Sequence, residues 1–417
     1  MPEMLALEQA RDLVLSKVHK LDVETVSVLD AAGRVAAADL TSDIDVAPFA
    51  HSAMDGFALR TEQLVAACPD APVKLRVIAE VAAGDVFEGV IAEGECVRIM
   101  TGASLPADAD SVVKYEIVGV VEGDGLPGSI VSFDAPTKLG SNVRAAGEEA
   151  QAGDVVVKKG EVINCAGVGF LASCGIVEVP VYRRPNVAII SIGSELVDPT
   201  VVPTPGKIRN SNSYALAASA RAAGAKVTIL PLVKDDLEAL KDEICGATKR
   251  FDFIVTSGGA SDGDFDFIKP AVEQLGELYM TLVNIRPGKA QTFGLVHDVP
   301  VFGLPGNPAA AYVGFELLIR PALRKMQGYS IFERPHVMAR LATDAKKKDP
   351  RRIYLRSTLS KDDEGYVVTP AQNQSSGLFG VLQRSNCLAV LPEGGSGRSA
   401  GSVVECILLD VPEEVCL

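Results

Sequence analysis

Four apolar runs in the middle of the chain each stop at a turn carrying glycine, a carboxylate or both. They are 189–195 (Ile-Ile-Ser-Ile-Gly-Ser-Glu), 229–236 (Ile-Leu-Pro-Leu-Val-Lys-Asp-Asp), 253–259 (Phe-Ile-Val-Thr-Ser-Gly-Gly) and 301–308 (Val-Phe-Gly-Leu-Pro-Gly-Asn-Pro). Continuous apolar runs read as buried parallel strands, and open α/β sheets bind ligands just beyond the C-terminal ends of such strands. Segments at helical spacing lie between and after them: 213–223 behind Ser211 and Asn212, 236–249 with acids at its start, one from near Asp266, and one from Pro308 toward Met326. Strands alternating with helices over 185–327 predict a doubly wound, mostly parallel sheet.

The flanks follow other patterns. Residues 3–20 read as an amphipathic helix with Leu5, Ala6, Leu13, Val14 and Val18 on its apolar side. From 41 to 140 short β-rich runs at 73–78, 95–100 and 111–115 alternate with turns, among them Glu122-Gly-Asp-Gly-Leu-Pro-Gly128. A glycine-punctuated helix is expected over 165–174. Beyond residue 328 the alternation predicts strands at 337–341, 352–359, 366–369, 386–391 and 403–409, and no helix. The fold class is therefore α/β plus β.

A length of 417 residues implies two to four domains, and 47% apolar residues suffice for packed cores. The net charge of −14 argues against a nucleic-acid partner and requires local cations or a metal wherever a polyanion binds. Eight cysteines without a C-x-x-C pair read as small buried hydrophobes of a reducing compartment. Met1 to Lys20 mixes charges with apolar residues and lacks a signal-peptide or membrane-spanning run, so a cytoplasmic protein without membrane insertion is expected. His19, His51, His297 and His336 show no metal spacing.

The richest chemistry lies in 256–266, Thr-Ser-Gly-Gly-Ala-Ser-Asp-Gly-Asp-Phe-Asp. Ser257, Gly258, Gly259 and Ser261 offer successive N–H groups after a strand, a nest for an anion. No lysine follows at the P-loop position. Glu195 and Asp235 end other strands of the same predicted sheet; with Asp266 they are candidate ligands of Mg²⁺, which takes one or two carboxylates and keeps waters and phosphate oxygens. Arg286-Pro-Gly-Lys289 directs two cations from one short loop, and Pro305-Gly-Asn307-Pro308 is a rigid turn that opens a helix. Asp55 and Thr101 sit in the β-rich part, and Arg144 and Glu149 share one loop just after it. Gly395-Ser-Gly397-Arg-Ser-Ala400 mimics a dinucleotide fingerprint but precedes a strand, and is rejected.

Taken in order, Ser52-Ala-Met-Asp-Gly-Phe57, Arg98-Ile-Met-Thr-Gly-Ala103, Arg144 with Gly147-Glu148-Glu149, Ser191-Ile-Gly-Ser-Glu-Leu196, Thr256-Ser-Gly-Gly-Ala-Ser261 with Asp266, Pro287-Gly-Lys289, Gly303-Leu-Pro-Gly-Asn-Pro308 and Gln374-Ser-Ser376 with Asn386 span nearly the whole chain. In these words it resembles the molybdopterin molybdenumtransferase family, which includes the bacterial molybdenum-insertion enzyme and the E domain of gephyrin. The resemblance implies four domains, here 1–44 with 141–180 for dimerisation, 45–140 β-rich, 181–327 α/β and 328–417 a β-barrel-like domain. It also implies a homodimer with its active site between the α/β domain of one subunit and the β domain of the other. The implied reaction inserts molybdate into adenylated molybdopterin, with Mg²⁺, and releases AMP. Carried over position by position, Asp55, Thr101, Glu149, Glu195, Asp235 and Asp266 are catalytic, the last three holding the metal. Ser194, Ser257, Gly258, Gly259, Ser261, Arg286, Lys289, Pro305, Asn307, Pro308, Arg352 and Ser376 bind the pterin nucleotide or oxyanions.

The chain departs from the family pattern at Ser194, where aspartate is usual, and at His51, Leu282, Arg286 and Ala290. The competing reading is a gephyrin-like scaffold, binding a short peptide of a membrane receptor or of the tubulin-like division protein. It requires an exposed apolar groove near Phe315, Leu318, Ile319 and Phe379. Fold analogy alone does not decide between the two.

Overall fold

The structure is a computed structural model that describes residues 4–259 and 267–410. The chain forms two compact units, 25–180 and 1–24 with 181–417.

The smaller unit is built on six strands: β1 (Gly56–Leu59), β2 (Val73–Val81), β3 (Glu95–Ile99), β4 (Ser111–Lys114), β5 (Gly119–Glu122) and β6 (Ile130–Phe133). Their order is β4-β1-β3-β2-β6-β5, with β2 and β3 the parallel pair. Side chains of period two divide into two cores. Phe57, Leu75, Val77, Val113 and Phe133 fill one, and Ala58, Val97, Ile99 and Val112 the other. The Glu122–Gly128 turn joins β5 to β6 as its composition predicts, and the helix Cys165–Ser173 is capped by the Asn164 side chain.

In the larger unit a six-stranded sheet comprises β7 (Asn186–Ser191), β8 (Lys226–Ile229), β9 (Phe253–Ser257), β10 (Glu277–Leu282), β11 (Ala290–Val296) and β12 (Val299–Leu304). The order is β8-β7-β9-β12-β11-β10; the first four strands are parallel, and β11 pairs antiparallel with both β12 and β10. One face packs on α1 (Leu7–Lys17) and α2 (Asn212–Ala222) through Leu7, Val14, Leu216 and Ala220. The other packs on α3 (Leu237–Thr248) and α4 (Ile268–Leu275) through Leu240, Ile244, Ala271 and Val272. Helices on both faces explain why β9 is buried throughout and β7 at all but its first residue.

The strand expected over 229–233 instead ends at Ile229 and lies at the sheet edge, largely exposed. Past it the chain makes only an isolated bridge, Val233 to Ile192. Pro231 explains the interruption, because it has no N–H for a ladder. From Pro308 one continuous helical rod runs to Met326, starting with α5 (Pro308–Gly314) and passing through a π turn at Phe315–Ile319.

Residues after 335 form a closed barrel of β13 (His336–Leu341), β14 (Arg352–Asp362), β15 (Gly365–Pro370), β16 (Cys387–Leu391) and β17 (Val403–Leu408). The order β14-β15-β13-β17-β16 closes through the β14–β16 pairing, which removes the sheet edges. A short helix, Phe379–Gln383, interrupts the all-β pattern expected here. Residues 285–286 add in parallel to the start of β14, so the barrel is stitched to the loop that follows β10.

Candidate active site

Successive strands β7 and β8 pair directly, and the chain then returns to place β9 on the other side of β7. That reversal is a topological switch point, and a crevice lies beyond the C-terminal ends of β7 and β9. The Ile192 N–H donates to the Ser257 carbonyl at 2.9 Å, so the two ends run close together. Gly258 (φ +86°) makes this approach possible: a Cβ there would lie 2.1 Å from the Ile192 carbonyl oxygen.

The crevice is a cavity of about 80 Å³, whose lining includes Glu195, Asn212, Ser257, Gly258, Gly306 and Pro308. Asn212 opens α2 and ties three loops together. Its Nδ2 donates to Ser257 Oγ at 2.7 Å and to the Gly306 carbonyl at 2.9 Å, while its Oδ1 is buried without a partner among the described residues. Beneath it Ser191, Asn210 and Ser213 form a buried hydrogen-bonded base, with Ser191 Oγ 2.5 Å from Ser213 Oγ. Beside the crevice, Ser194 and Asp235 bond reciprocally, and Lys207 Nζ donates to the Ser194 carbonyl at 2.6 Å. Glu195 and Asp235 are both exposed.

A second, larger cavity of about 900 Å³ opens on the other side of the Pro305–Pro308 turn. Pro305 and Asn307 line the large cavity; Gly306 and Pro308 line the small one. Six cations surround the large cavity: Arg286 and Lys289 from the turn after β10, and Lys346, Lys348, Arg351 and Arg356 from the barrel entry and β14. Ser375 and Ser376 complete the wall, and the Ser376 carbonyl accepts from the Ala309 N–H at 2.8 Å, which fixes this loop against the start of α5.

Arg356 is the most telling of these groups. It is 2% exposed, and among the described residues its guanidinium donates to the Tyr354 and Ser375 carbonyls alone, at 3.4 and 3.2 Å. Its Nε is buried without a partner, and among the described residues no carboxylate pairs with it. Burial, then the neighbouring Arg286 charge, pulls its pKa down to about 10. A buried cation without a counter-ion costs several kcal/mol, which an anion in the cavity would offset.

The expected site residues fall into distinct places. Arg286, Lys289, Pro305, Asn307 and Ser376 line the cationic cavity; Glu195, Ser257, Gly258 and Pro308 line the crevice. Ser194 and Asp235 stand beside the crevice, and the Gly259 carbonyl accepts from Phe267 N–H at 2.9 Å. Ser261 and Asp266 lie outside the described residues. Among the described residues no group of three or more His, Cys, Asp or Glu side chains is arranged to hold a metal. Arg352 differs from expectation. It bonds Glu8 of α1 and lies 3.3 Å from Glu393, while Arg351 and Arg356 occupy the cavity wall. The run Lys346-Lys-Lys-Asp-Pro-Arg-Arg352 is the sequence signal for these further cations; strand pairing decides which of them face the cavity.

In the smaller unit Asp55 and Thr101 adjoin, at the ends of the antiparallel β1 and β3. Thr101 donates to Asp55 Oδ1 from both its N–H and its hydroxyl, each at 2.7 Å, and these bonds hold the Asp55 carboxyl below its ordinary range. Glu149 is exposed in a separate turn. Three of the four residues expected to line a scaffold's apolar groove, Phe315, Leu318 and Ile319, are fully buried, and Phe379 is half-buried. Among the described residues no helix is long and apolar enough to cross a membrane.

Acids at a sheet switch point beside a strongly cationic cavity define an α/β protein whose site has the shape and charge to suit an extended anionic ligand. Family models agree in order along the chain. Residues 5–175 match the MoeA N-terminal region (domain I and II), 188–325 a probable molybdopterin binding domain and 338–409 the MoeA C-terminal region (domain IV). The molybdopterin molybdenumtransferase of Bacillus subtilis (strain 168) is 36% identical over 93% of this chain and 90% of its own. That of Staphylococcus aureus (strain COL) is 33% identical over 99% of this chain and 98% of its own. The crystal structure of the molybdopterin biosynthesis moeA protein from Pyrococcus horikosii superposes with a TM-score of 0.83 at 32% identity, covering 98% of this chain and all of that one. This chain belongs to the molybdopterin molybdenumtransferase family, and with it to molybdenum cofactor biosynthesis.

Proposed function

We propose that this chain inserts molybdenum: molybdate enters the dithiolene of adenylated molybdopterin, and AMP leaves. Arg356 carries the reading, because a buried arginine without a carboxylate partner is matched by a ligand that brings the negative charge. Molybdate and the pyrophosphate of the pterin nucleotide are both oxyanions, and Arg286, Lys289, Asn307, Arg351, Arg356 and Ser376 supply donors around one cavity. Ser194, Ser257, Gly258, Gly259, Ser261, Pro305 and Pro308 are assigned to the pterin nucleotide.

Glu195 and Asp235 fit a hard divalent cation, as exposed carboxylates beside a site suited to phosphate, and with Asp266 they would hold Mg²⁺. When bound, the cation neutralises charge on the phosphate oxygens as the anhydride breaks. The arginines orient the oxyanion, and the Ser194 N–H fixes the Asp235 carboxylate in place through the 2.8 Å bond. Asp55, Thr101 and Glu149 are assigned to the same reaction, in a homodimer.

The test is AMP release from adenylated molybdopterin with added molybdate, together with rescue of a strain lacking the insertion step. Wild type should release AMP and rescue; Arg356→Ala should lose about a hundredfold in rate, and Asp266→Asn should not rescue. Wild type that neither releases AMP nor rescues would overturn the reading.

A further inference from the structure

Among the described residues Asp349 is a carboxylate that bonds two of the six cations of the large cavity, Arg286 and Arg351. Asp349 is on the loop entering β14 and its side chain is 12% exposed. Its Oδ2 accepts from Arg351 Nη2 at 2.5 Å and from Arg286 Nη1 at 3.1 Å. Its Oδ1 accepts from Arg351 Nε at 2.9 Å and from the Arg351 N–H at 3.0 Å. Arg351 Nη1 in turn donates to the Ile285 carbonyl at 3.3 Å, beside Arg286. The loop is anchored further by Lys347, which donates to the Pro392 and Gly394 carbonyls, and by the Ala345–Arg398 bridge. The bonds from Arg351, then that from Arg286, hold the Asp349 carboxyl well below the usual carboxylate range.

An acid in an anion site should on charge alone weaken binding. It sits, however, where it restrains two long side chains that come from separate elements, one from the turn after β10 and one from the barrel entry. A free arginine loses most of its rotamer freedom when a ligand immobilises it. A side chain already held in place loses less, so preorganisation opposes the electrostatic penalty.

We propose that Asp349 is a positioning residue of the oxyanion site, holding Arg286 and Arg351 as a preset pair of guanidinium forks, and that this arrangement outweighs the repulsion between its charge and the incoming tetrahedral oxyanion. The proposal rests on the assignment of the cationic cavity to oxyanions. It makes opposite predictions from a simple charge argument. Removing a negative charge would ordinarily strengthen anion binding; here it weakens it.

The experiment is equilibrium binding of molybdate to the purified full chain by calorimetry, with inorganic phosphate as a second probe. Asp349→Asn should bind molybdate roughly tenfold or more weakly than wild type, with a higher KM for molybdate and little change in kcat. Asp349→Glu should recover part of the loss. In an Arg286→Ala, Arg351→Ala background, Asp349→Asn should instead tighten binding, since only the charge effect remains. Unfolding curves of each variant separate loss of fold from loss of site, and if Asp349→Asn does not fold, Asp349→Glu and the sign in the alanine background decide. Tighter or unchanged binding by Asp349→Asn in the wild-type background would overturn the assignment of Asp349. Wild type that binds neither anion would overturn the oxyanion reading itself.

Discussion

Ser194 and Asp235 hold one another across two neighbouring chain segments: the Ser194 N–H donates to Asp235 Oδ2 at 2.8 Å, and the Asp235 N–H donates to Ser194 Oγ at 3.2 Å. Serine at 194 therefore does by hydrogen bonding what a second acid would have to do against charge repulsion. Ser194→Asp should place two carboxylates side by side, lower the melting temperature without Mg²⁺, and respond more strongly to added Mg²⁺ than wild type does. Thermal unfolding with and without the cation measures both effects. Equal Mg²⁺ shifts in the two proteins would count against a cation held by Asp235.

Gly258 is the position where backbone geometry leaves no alternative. Its φ of +86° and the 2.1 Å that would separate an added Cβ from the Ile192 carbonyl oxygen mean that Gly258→Ala must move β9 away from β7. A loss of about 3 kcal/mol is expected from the combined strain and clash. Urea unfolding reads it directly, and Gly306→Ala, whose nearest neighbour would be 3.7 Å away at Gly258 Cα, is the milder control.

At the opposite end of the sheet Arg183 grips Asp252 with two bonds of 2.6 Å, and the Asn186 N–H adds a third at 2.8 Å. Burial pushes the Asp252 carboxyl up, but the Arg183 and Asn186 bonds outweigh it and hold the pKa below the ordinary 3.8. A depressed carboxylate pKa contributes stability above its unfolded value, and that contribution is lost as pH falls through the folded value. Arg183→Ala should cost about 2–3 kcal/mol at pH 7, less than a fully buried pair because both groups retain some solvent. The gap between variant and wild type should narrow as pH falls through the folded Asp252 value, because only wild type loses the pair's contribution there, which urea unfolding across the acid range would show.

Thr101 lowers the Asp55 pKa through its hydroxyl and its N–H, both bonded to one oxygen. Thr101→Val keeps the N–H and removes the hydroxyl, so the Asp55 carboxyl should titrate closer to 3.8 than in wild type. A carboxyl-resolved NMR titration reads the change. An unaltered titration would mean that the hydroxyl bond is absent in solution.

Much of the fold is legible in the sequence because its signals are local. Apolar runs set β7, β9 and β12, Pro308 opens a helix, and Asp236 caps α3 by accepting from the Ala239 N–H at 3.0 Å. The extent of the edge strand β8 is not legible, because Leu230, Leu232 and Val233 look like a buried run, whereas Pro231 prevents a continuous ladder. The helix Phe379–Gln383 is only five residues long, too short to show a period. Sequence points to Arg352 rather than its neighbours, since nothing in it states which way a strand residue faces. Pairing of 285–286 with the start of β14 settles that, sending Arg352 to Glu8 and leaving Arg351 at the cavity.

By itself the sequence determined the architecture class, the order of its parts and the turns where chemistry gathers, since periodicity, capping and glycine-proline geometry act within a few residues. Tertiary structure decided which charges meet. Arg356 became an unpaired buried cation, and Asp349 the brace between two arginines, only when barrel closure brought β14 against the turn after β10. Electrostatic roles depend on distance and desolvation, and both are set by contacts between segments far apart along the chain.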